Sequence, residues 1–415
     1  MTSGFVRRLG LSDAVAIGLG SMIGAGAFAV WQPAIEAAGS GALIGLVLAA
    51  VVAFCNATST AQLAAVHPVA GGVYAYGNAE LGAWWGYLAG WCFVVGKIAS
   101  CAAMALTFAS YAAPGFERPA AIGAVVLLTI VNLLGVTRTA SAAKIIVVIV
   151  LLVLVFVAVS GLVGSTGEHA SIGEGLFDGG WYGILQSAGL IFFAFAGYAR
   201  IATMGEEVRD PARTIPRAIV FALAGAVVVY AVLAVTVLQA LGPALHVSAT
   251  PLADVVAASG WDWGAPVVRV GAACAALGAL LALIAGIGRT SLAMARGGDL
   301  PGFFSRIHPR TRVPHRAEIA VAAVVLAILL VADLRGAIGV SSFGVLLYYF
   351  VANLAALRQG KTVRRYPQWL QVAGAIGCAG LAALLPWPSV VAGAAVVAIG
   401  VVIRGARLIA ERRSV

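Results

Sequence analysis

The sequence predicts an all-α integral membrane protein with twelve transmembrane helices. Of its 415 residues, 62% are apolar and only 10% are charged, whereas soluble domains carry roughly 25% charged residues. The apolar stretches run for about 20 residues, enough to cross a bilayer as a helix, and lack the alternation of a barrel strand. Soluble, collagen-like and disulfide-rich folds are excluded, because the 51 glycines have no three-residue period and there are only 5 cysteines.

Charged residues, prolines and glycines divide the apolar sequence into twelve segments. In chain order they cover about 12–37, 41–66, 83–112, 119–134, 142–164, 182–204, 216–241, 265–295, 317–333, 337–357, 369–386 and 388–404. No connection is long enough to hold a soluble domain, so residues 1–415 are expected to form a single transmembrane domain. The functional residues should therefore lie within the bilayer.

The distribution of lysine and arginine predicts the orientation. If the segments alternate sides from the N-terminus, one side collects 20 of the 26 basic residues, and the other collects Arg118, Arg269 and Arg335. Basic loops are retained in the cytoplasm, so both termini are expected there, in a multi-pass protein of the plasma membrane. The net charge of +10 reflects this asymmetry, so the lipid bilayer is an expected partner and nucleic acid is not.

Two segments contain residues that favour a break in the helix. Segment 1 holds Gly18, Gly20, Gly24 and Gly26, and segment 6 holds Gly197 among aromatic residues. Glycine costs roughly 1 kcal/mol relative to alanine in a helix and favours local unwinding. Close helix packing through small residues explains any single run equally well. Segments 1 and 6, however, begin two successive sets of five, which is the arrangement of an inverted-repeat transporter with broken helices.

Broken helices at the membrane midplane predict a site for a molecule that carries a carboxylate and an ammonium group. Half-helix ends present N–H groups to an anion, and the freed carbonyl groups accept from an ammonium. The predicted substrate-binding residues flank the breaks and are Ile23, Gly24, Ala25, Gly26, Phe195, Ala196, Gly197 and Tyr198. No cofactor or metal is predicted, because the five histidines lie in connections without a metal-binding partner at helical spacing.

Four stretches resemble the amino acid, polyamine and organocation superfamily of permeases. They are GSMIGAGAF in segment 1, HPVAGGVYAYGNAELG at 67–82, FFAFAGYARIATMGEEVRDPARTIPRAI at 192–219 and SLAMARGGDLPGFFSRIHPRTRVP at 291–314. The resemblance implies a fold of the leucine-transporter type, with a 5+5 inverted repeat and two extra helices. The repeats would cover about 12–164 and 182–357, and the extra helices about 369–404. It also implies amino acid transport by alternating access.

Two departures from the superfamily pattern bear on mechanism. Relatives that use protons often carry a lysine in the fifth helix, where this sequence has Val150, with Lys144 six residues earlier. Members that carry cationic amino acids often have an acidic residue after the aromatic residue of the sixth helix, where this sequence has Ala199 and Arg200. The resemblance therefore implies a neutral or acidic substrate in preference to a basic one, with proton coupling and exchange both open.

Three basic residues lie inside the apolar segments: Lys97, Arg200 and Arg289. Lys97 is about 14 residues from either end of segment 3, roughly 20 Å deep and beyond the reach of snorkelling. A cation there costs at least about 2.5 kcal/mol and is a functional candidate, although binding to backbone carbonyl groups or neutralisation for structural reasons also explains it. Arg200 is the second candidate for a coupling or charge role, and snorkelling or a pair with Glu207 along one helix face are its alternatives.

The sequence as a whole predicts a secondary active transporter, a symporter or an antiporter, that works as a monomer or weak dimer and is not an enzyme. A membrane transferase is the alternative from another class, and it would need a nucleophile, a base or a metal cluster that this sequence lacks. An exporter of amino acids or amines with the same fold is also open. A channel would need symmetric pore subunits or charged rings, which the sequence does not supply.

Overall fold

The computed structural model describes residues 9–68, 71–135, 140–164, 175–202, 204, 207–241 and 248–413. Within these ranges every regular element is a helix, and an isolated bridge between Leu9 and Val208 is the single pairing of strand type. Three of the 20 basic residues that predict the orientation, Arg7, Arg8 and Arg138, and two of the five histidines, His169 and His246, lie outside the described residues.

The described ranges contain seventeen α-helices. In chain order they are α1 Leu11–Ile23, α2 Gly26–Ala29, α3 Trp31–Ala38, α4 Ala42–Val66, α5 Val73–Glu80, α6 Ala83–Ala112, α7 Glu117–Leu133, α8 Ala140–Val163, α9 Gly180–Phe195, α10 Ala199–Ala202, α11 Pro211–Leu241, α12 Pro251–Ala258, α13 Ala265–Arg296, α14 His315–Val331, α15 Leu334–Arg358, α16 Gln368–Ala383 and α17 Trp387–Arg413. The short helices α5 and α12 lie in connections where the apolar pattern gives no sign of them.

Nine helical stretches of the described chain are long and apolar enough to cross a membrane. They are Leu11–Ala29, Trp31–Val66, Ala83–Ala112, Lys144–Val163, Gly180–Ala202, Pro211–Leu241, Asp262–Arg296, Leu334–Arg358 and Trp387–Ile409. Large apolar side chains on the outer helices face away from the protein, including Leu152, Val228 and Val402, which are 64%, 63% and 68% exposed. Such an apolar surface is stable in contact with lipid acyl chains, whereas its exposure to water would be unfavourable. The chain is a multi-pass membrane protein.

Three helices, α6, α9 and α15, form the centre of the bundle and are mostly buried. Helix α6 packs along α13 and α15, and α4 packs along α9 and α11. Small residues allow the close contacts, since a methyl group at Gly96 in α6 would lie 3.1 Å from the carbonyl oxygen of Ser341 in α15. Helices α8 and α17 expose most of their surface and lie at the periphery.

The structure interrupts the helix in both segments for which a break is predicted. Helix α1 ends at Ile23, Gly24 leaves the helical region with φ −45° and ψ −129°, and the chain resumes in α2 and α3. Helix α9 ends at Phe195 and is followed by a single 3-10 turn, Ala196–Tyr198, and then by α10. Because α10 ends at Ala202, Arg200 and Glu207 do not share a helix face, and a pair between them stays a prediction.

Candidate functional site at the helix breaks

The two breaks lie directly against each other. A methyl group at Gly26 would lie 3.0 Å from Cα and 3.2 Å from Cβ of Ala194, close to the end of α9. A methyl group at Gly197 would overlap the carbonyl group of Ser21 in α1. Glycine at both positions permits this approach of the two backbones, because any larger residue would push them apart. The structure thus brings the predicted residues of segments 1 and 6 together.

Most of the residues at the breaks are buried. Ile23 and Ala25 are each 1% exposed, and Phe195 and Tyr198 are fully buried. Gly24 and Gly197 are half-buried. The polar groups available at this place therefore belong mainly to the backbone, because the side chains that surround it are apolar or aromatic.

The residues beside the breaks differ in exposure on the two sides of the membrane. Ser21, on the N-terminal side of the first break, and Arg200, on the same side of the second, are exposed. Arg289, near the same end of α13, is also exposed. On the other side of the first break, Phe28 and Trp31 are only 2% and 1% exposed. Ile201 and Met204, on the N-terminal side, are 0% and 1% exposed, so tightly packed residues occur on both sides.

The breaks also leave backbone carbonyl groups without a helical partner. Met22 and Ala194 are each the second-to-last residue of their helix, and the last four carbonyl groups of a helix have no donor within it. The hydroxyl group of Tyr230 in α11 lies 2.7 Å from the oxygen of Met22 and 3.1 Å from the oxygen of Ala194. Local sequence gives no sign of this role, since Tyr230 lies within an apolar run of α11.

Aromatic rings form a wall beside the second break. The ring of Tyr198 stacks on Tyr349 of α15, with centroids 4.9 Å apart. Phe192 meets Tyr349 edge-on at 5.9 Å, and Phe195 meets Tyr230 edge-on at 5.0 Å. A small number of polar groups set into an apolar wall is the usual composition of a small-molecule site.

Lys97, the predicted coupling residue, lies in the middle of α6 and is 9% exposed. Gly90 is seven residues earlier on the same helix face, and a methyl group there would lie 2.8 Å from Sδ of Met294 in α13. By helical spacing Lys97 lies on the same side of α6 as Gly90, two turns further along the helix. Its ammonium group forms no ion pair within the part of the chain that the structure describes.

Comparison with known proteins identifies the fold that carries these breaks. The sequence profile of the amino acid permease family matches residues 9–404, a range that includes both breaks. The chain belongs to the amino acid permease family. This confirms the resemblance to the amino acid, polyamine and organocation superfamily. Uncharacterized transporters of Mycobacterium tuberculosis and Mycobacterium bovis are 55% identical over 409 residues, which are 98% of this chain and 93% of theirs.

More distant relatives carry substrate names. A vacuolar cationic amino acid transporter of Arabidopsis thaliana is 30% identical over 377 residues, which are 85% of this chain and 63% of that protein. A branched-chain amino acid permease of Bacillus subtilis is 26% identical over 338 residues, which are 75% of this chain and 72% of that protein. This protein is therefore an amino acid transporter and not an enzyme, which removes the transferase alternative.

Proposed function

We propose that this permease moves neutral or acidic amino acids across the plasma membrane by alternating access, with the substrate held at the two helix breaks. The observation that carries the proposal is the contact between the breaks, where Gly26 meets Ala194 and Gly197 meets Ser21. Unwound backbone from two helices at one place offers N–H groups to a carboxylate and carbonyl groups to an ammonium. An amino acid has both groups on one carbon atom.

Each predicted binding residue has a role in this proposal. The backbone N–H groups of Gly24, Ala25 and Gly26, at the start of α2, contact the substrate carboxylate, and Ile23 lies beside them at the end of α1. The backbone of Ala196 and Gly197 contacts the ammonium group through carbonyl oxygens. Phe195 and Tyr198 lie beside the substrate side chain, within an aromatic wall that excludes water and strengthens the polar contacts.

Alternating access is supported by the difference in exposure across the breaks. Ser21 and Arg200 are exposed on the N-terminal side, whereas Phe28 and Trp31 are buried on the other. We propose that Ser21 and Arg200 line the route by which the site is reached from the cytoplasm in one of the two states. The opposite state would open the packing around α2 and α3 and close the packing around Ser21 and Arg200.

We further propose twelve membrane spans, with two repeats and both termini in the cytoplasm. Helices α7, α14 and α16 have 17, 17 and 16 residues, which is roughly 24–26 Å at 1.5 Å per residue, a little less than the thickness of the hydrocarbon core. Together with the nine longer stretches they make twelve spans. An even number of spans places both termini on the same side of the membrane. Single cysteines at Phe116 and Val363 test this, because the first should react only from outside and the second only from the cytoplasm. Reaction of both from the same side would contradict the topology.

The preference for neutral or acidic substrates rests on charge. Lys97 and Arg200 are positive, and a cationic substrate side chain beside them would be repelled in a medium of low dielectric constant. Among the relatives, four are named for cationic amino acids and one for branched-chain amino acids, so the preference proposed here rests on charge and not on kinship. Coupling to protons through Lys97 and exchange against an internal amino acid are both compatible with this arrangement.

Uptake into proteoliposomes tests the proposed function. Purified protein is reconstituted, and uptake of a panel of labelled amino acids is measured with and without a pH gradient and with and without internal amino acid. Uptake of a neutral or acidic amino acid is expected, with dependence on either the gradient or the internal substrate. Efflux from preloaded vesicles, measured in parallel, distinguishes an importer from an exporter. Failure of every amino acid to move under all conditions would overturn the proposal.

A further inference from the structure

Tyr230 connects the two helix breaks from a third helix. It lies in α11, it is fully buried, and its hydroxyl group lies 2.7 Å from the oxygen of Met22 and 3.1 Å from the oxygen of Ala194. Met22 is 208 residues away in the chain and Ala194 is 36 residues away. The first carbonyl belongs to the end of α1 and the second to the end of α9, so one hydroxyl group is shared between both breaks.

This hydroxyl group matters because each carbonyl is buried where helical hydrogen bonding stops. A buried carbonyl group without a donor loses its hydration and gains nothing in return. Tyrosine has one hydrogen to donate, so it forms the shorter bond to Met22 while the oxygen of Ala194 lies within reach of the same hydrogen. Separation of the two breaks would leave at least one carbonyl without a donor, which resists such movement.

The ring of Tyr230 is held by both broken segments as well. It meets Trp31 edge-on, with centroids 6.3 Å apart, and Phe195 edge-on at 5.0 Å. Trp31 is itself fixed, because its indole N–H donates to the carbonyl oxygen of Ala27 at 2.7 Å. The ring therefore has little freedom, and the position of the hydroxyl group is set by residues on each side of the breaks.

We propose that Tyr230 is a positioning residue that sets the distance between the two breaks and thereby selects α-amino acids over β- and γ-amino acids. The inference rests on the proposed substrate site and extends it. In an α-amino acid a single carbon separates the carboxylate from the ammonium group, so the backbone groups that bind them must have one fixed separation. A β- or γ-amino acid has a wider separation and fits only when the breaks move apart.

Tyr230→Phe tests this because it removes the hydroxyl group and keeps the ring contacts with Trp31 and Phe195. Tyr87→Phe is the matched control, since Tyr87 is 1% exposed and its hydroxyl group also donates to a carbonyl oxygen, that of Gly400, at 2.7 Å. For the α-amino acid that the wild type transports best, Tyr230→Phe should raise KM roughly 5- to 10-fold while Vmax changes by less than about two-fold. Competition by the β-isomer should weaken less, so discrimination falls. Tyr87→Phe should change neither.

Hydrogen exchange of backbone amides provides a readout that does not depend on transport. Tyr230→Phe should speed exchange at 22–27 and 194–198 more than elsewhere in the protein, whereas Tyr87→Phe should leave these residues as in the wild type. Faster exchange in a protein that transports no amino acid would support the positioning role of Tyr230 and overturn the proposed function. If the wild type transports amino acids and Tyr230→Phe has the same exchange, KM and discrimination as the wild type, the positioning role of Tyr230 is overturned.

A second variant keeps the test valid if Tyr230→Phe fails to fold. Incorporation of 3-fluorotyrosine at position 230 preserves the ring and the hydroxyl group and makes the hydroxyl a stronger donor. KM for the α-amino acid should then fall below the wild-type value, and discrimination against the β-isomer should rise. An unchanged or higher KM in this folded variant would contradict the role of Tyr230.

Discussion

Lys97 is the residue whose position is hardest to explain by structure alone. It lies halfway along α6 and is 9% exposed. Burial of an ammonium group in the membrane is costly unless the group is paired or neutral. A lysine that loads and releases a proton as its surroundings change during transport would justify this cost.

We expect Lys97→Met to abolish pH-driven uptake, or to make uptake independent of pH, while expression stays near the wild-type level. Methionine preserves length and apolar bulk, so packing should survive. The measurement is uptake into proteoliposomes with and without a pH gradient. Lys361→Met, at an exposed residue between α15 and α16, is the control and should behave as the wild type. An unchanged pH dependence in Lys97→Met would assign the lysine a purely structural role.

Gly26 is the second residue with a defined expectation. A leucine there would place its Cβ atom 3.0 Å from Cα of Ala194, which is closer than ordinary van der Waals contact. We expect Gly26→Leu to insert in the membrane and to lose transport, because the breaks can no longer meet. Gly123→Leu is the matched control, since Gly123 lies in α7 with open space around its Cα atom. Normal uptake by a correctly inserted Gly26→Leu protein would contradict the assignment of the site.

At the scale of elements, a buried ionic contact joins α17, the short helix α5 and the end of α13. Arg404 of α17 forms an ion pair with Asp299, and both side chains are about nine-tenths buried. Tyr74 of α5 donates to the other oxygen of Asp299 at 2.8 Å, and the guanidinium of Arg404 lies 4.6 Å from the ring of Tyr87. This network fastens the last helix to α5, to α6 and to the residues that follow α13.

Protonation of Tyr74 is part of this network. Burial, together with the hydrogen bond to the carboxylate of Asp299, raises the pKa of Tyr74 to about 12. The folded state therefore favours the protonated phenol. Its contribution to stability is complete below pH 10, the ordinary pKa of tyrosine, and is lost as the pH rises toward 12. At physiological pH the hydroxyl group remains a donor.

We expect Asp299→Asn to lower the free energy of unfolding by roughly 3 kcal/mol, because it leaves the charge of Arg404 buried without its partner. The double variant Asp299→Asn with Arg404→Met should recover part of the loss. Arg213→Ala, which removes an exposed pair with Asp210 at 3.9 Å, should change stability by less than about 0.5 kcal/mol. Thermal melting in detergent measures all three. Equal melting temperatures for Asp299→Asn and Arg213→Ala would show that the buried pair contributes nothing.

At the scale of the whole molecule, the distribution of charge decides which substrates enter. Lys97 is buried within the bundle, and two exposed residues, Arg200 next to the second break and Arg289 in α13, add positive charge. The buried carboxylate of Glu318 lies in the first turn of α14, beside Gly288 at the end of the bundle, and not at the breaks. Glu207 and Glu318 offset the charges of Arg200 and Arg289 in part, so Lys97 is the positive residue that we expect to disfavour a cationic side chain.

We expect arginine, lysine and polyamines to compete poorly with the transported amino acid, and glutamate or neutral amino acids to compete well. Competition at equal concentrations in the uptake assay measures this, and Arg200→Gln should improve competition by arginine. Tight inhibition by arginine, with no response to glutamate or to any neutral amino acid, would reverse the assigned substrate class.

The sequence by itself determined what depends on local composition. Runs of apolar residues predicted the helices and their membrane environment, because every backbone group in lipid must be satisfied within its own helix. The glycines at 24, 26 and 197 marked the breaks, because helix propensity is a property of the residue itself. The four motifs identified the family.

Tertiary structure decided which distant groups meet. Tyr230 lies in an apolar run like many others, and its role follows only from two carbonyl groups 208 and 36 residues away. Asn56 is another example, since its oxygen accepts from the amide of Asn353 at 2.6 Å across 297 residues. Local sequence carries no trace of such contacts, because their free energy arises when desolvated polar groups from different helices satisfy each other inside the folded bundle.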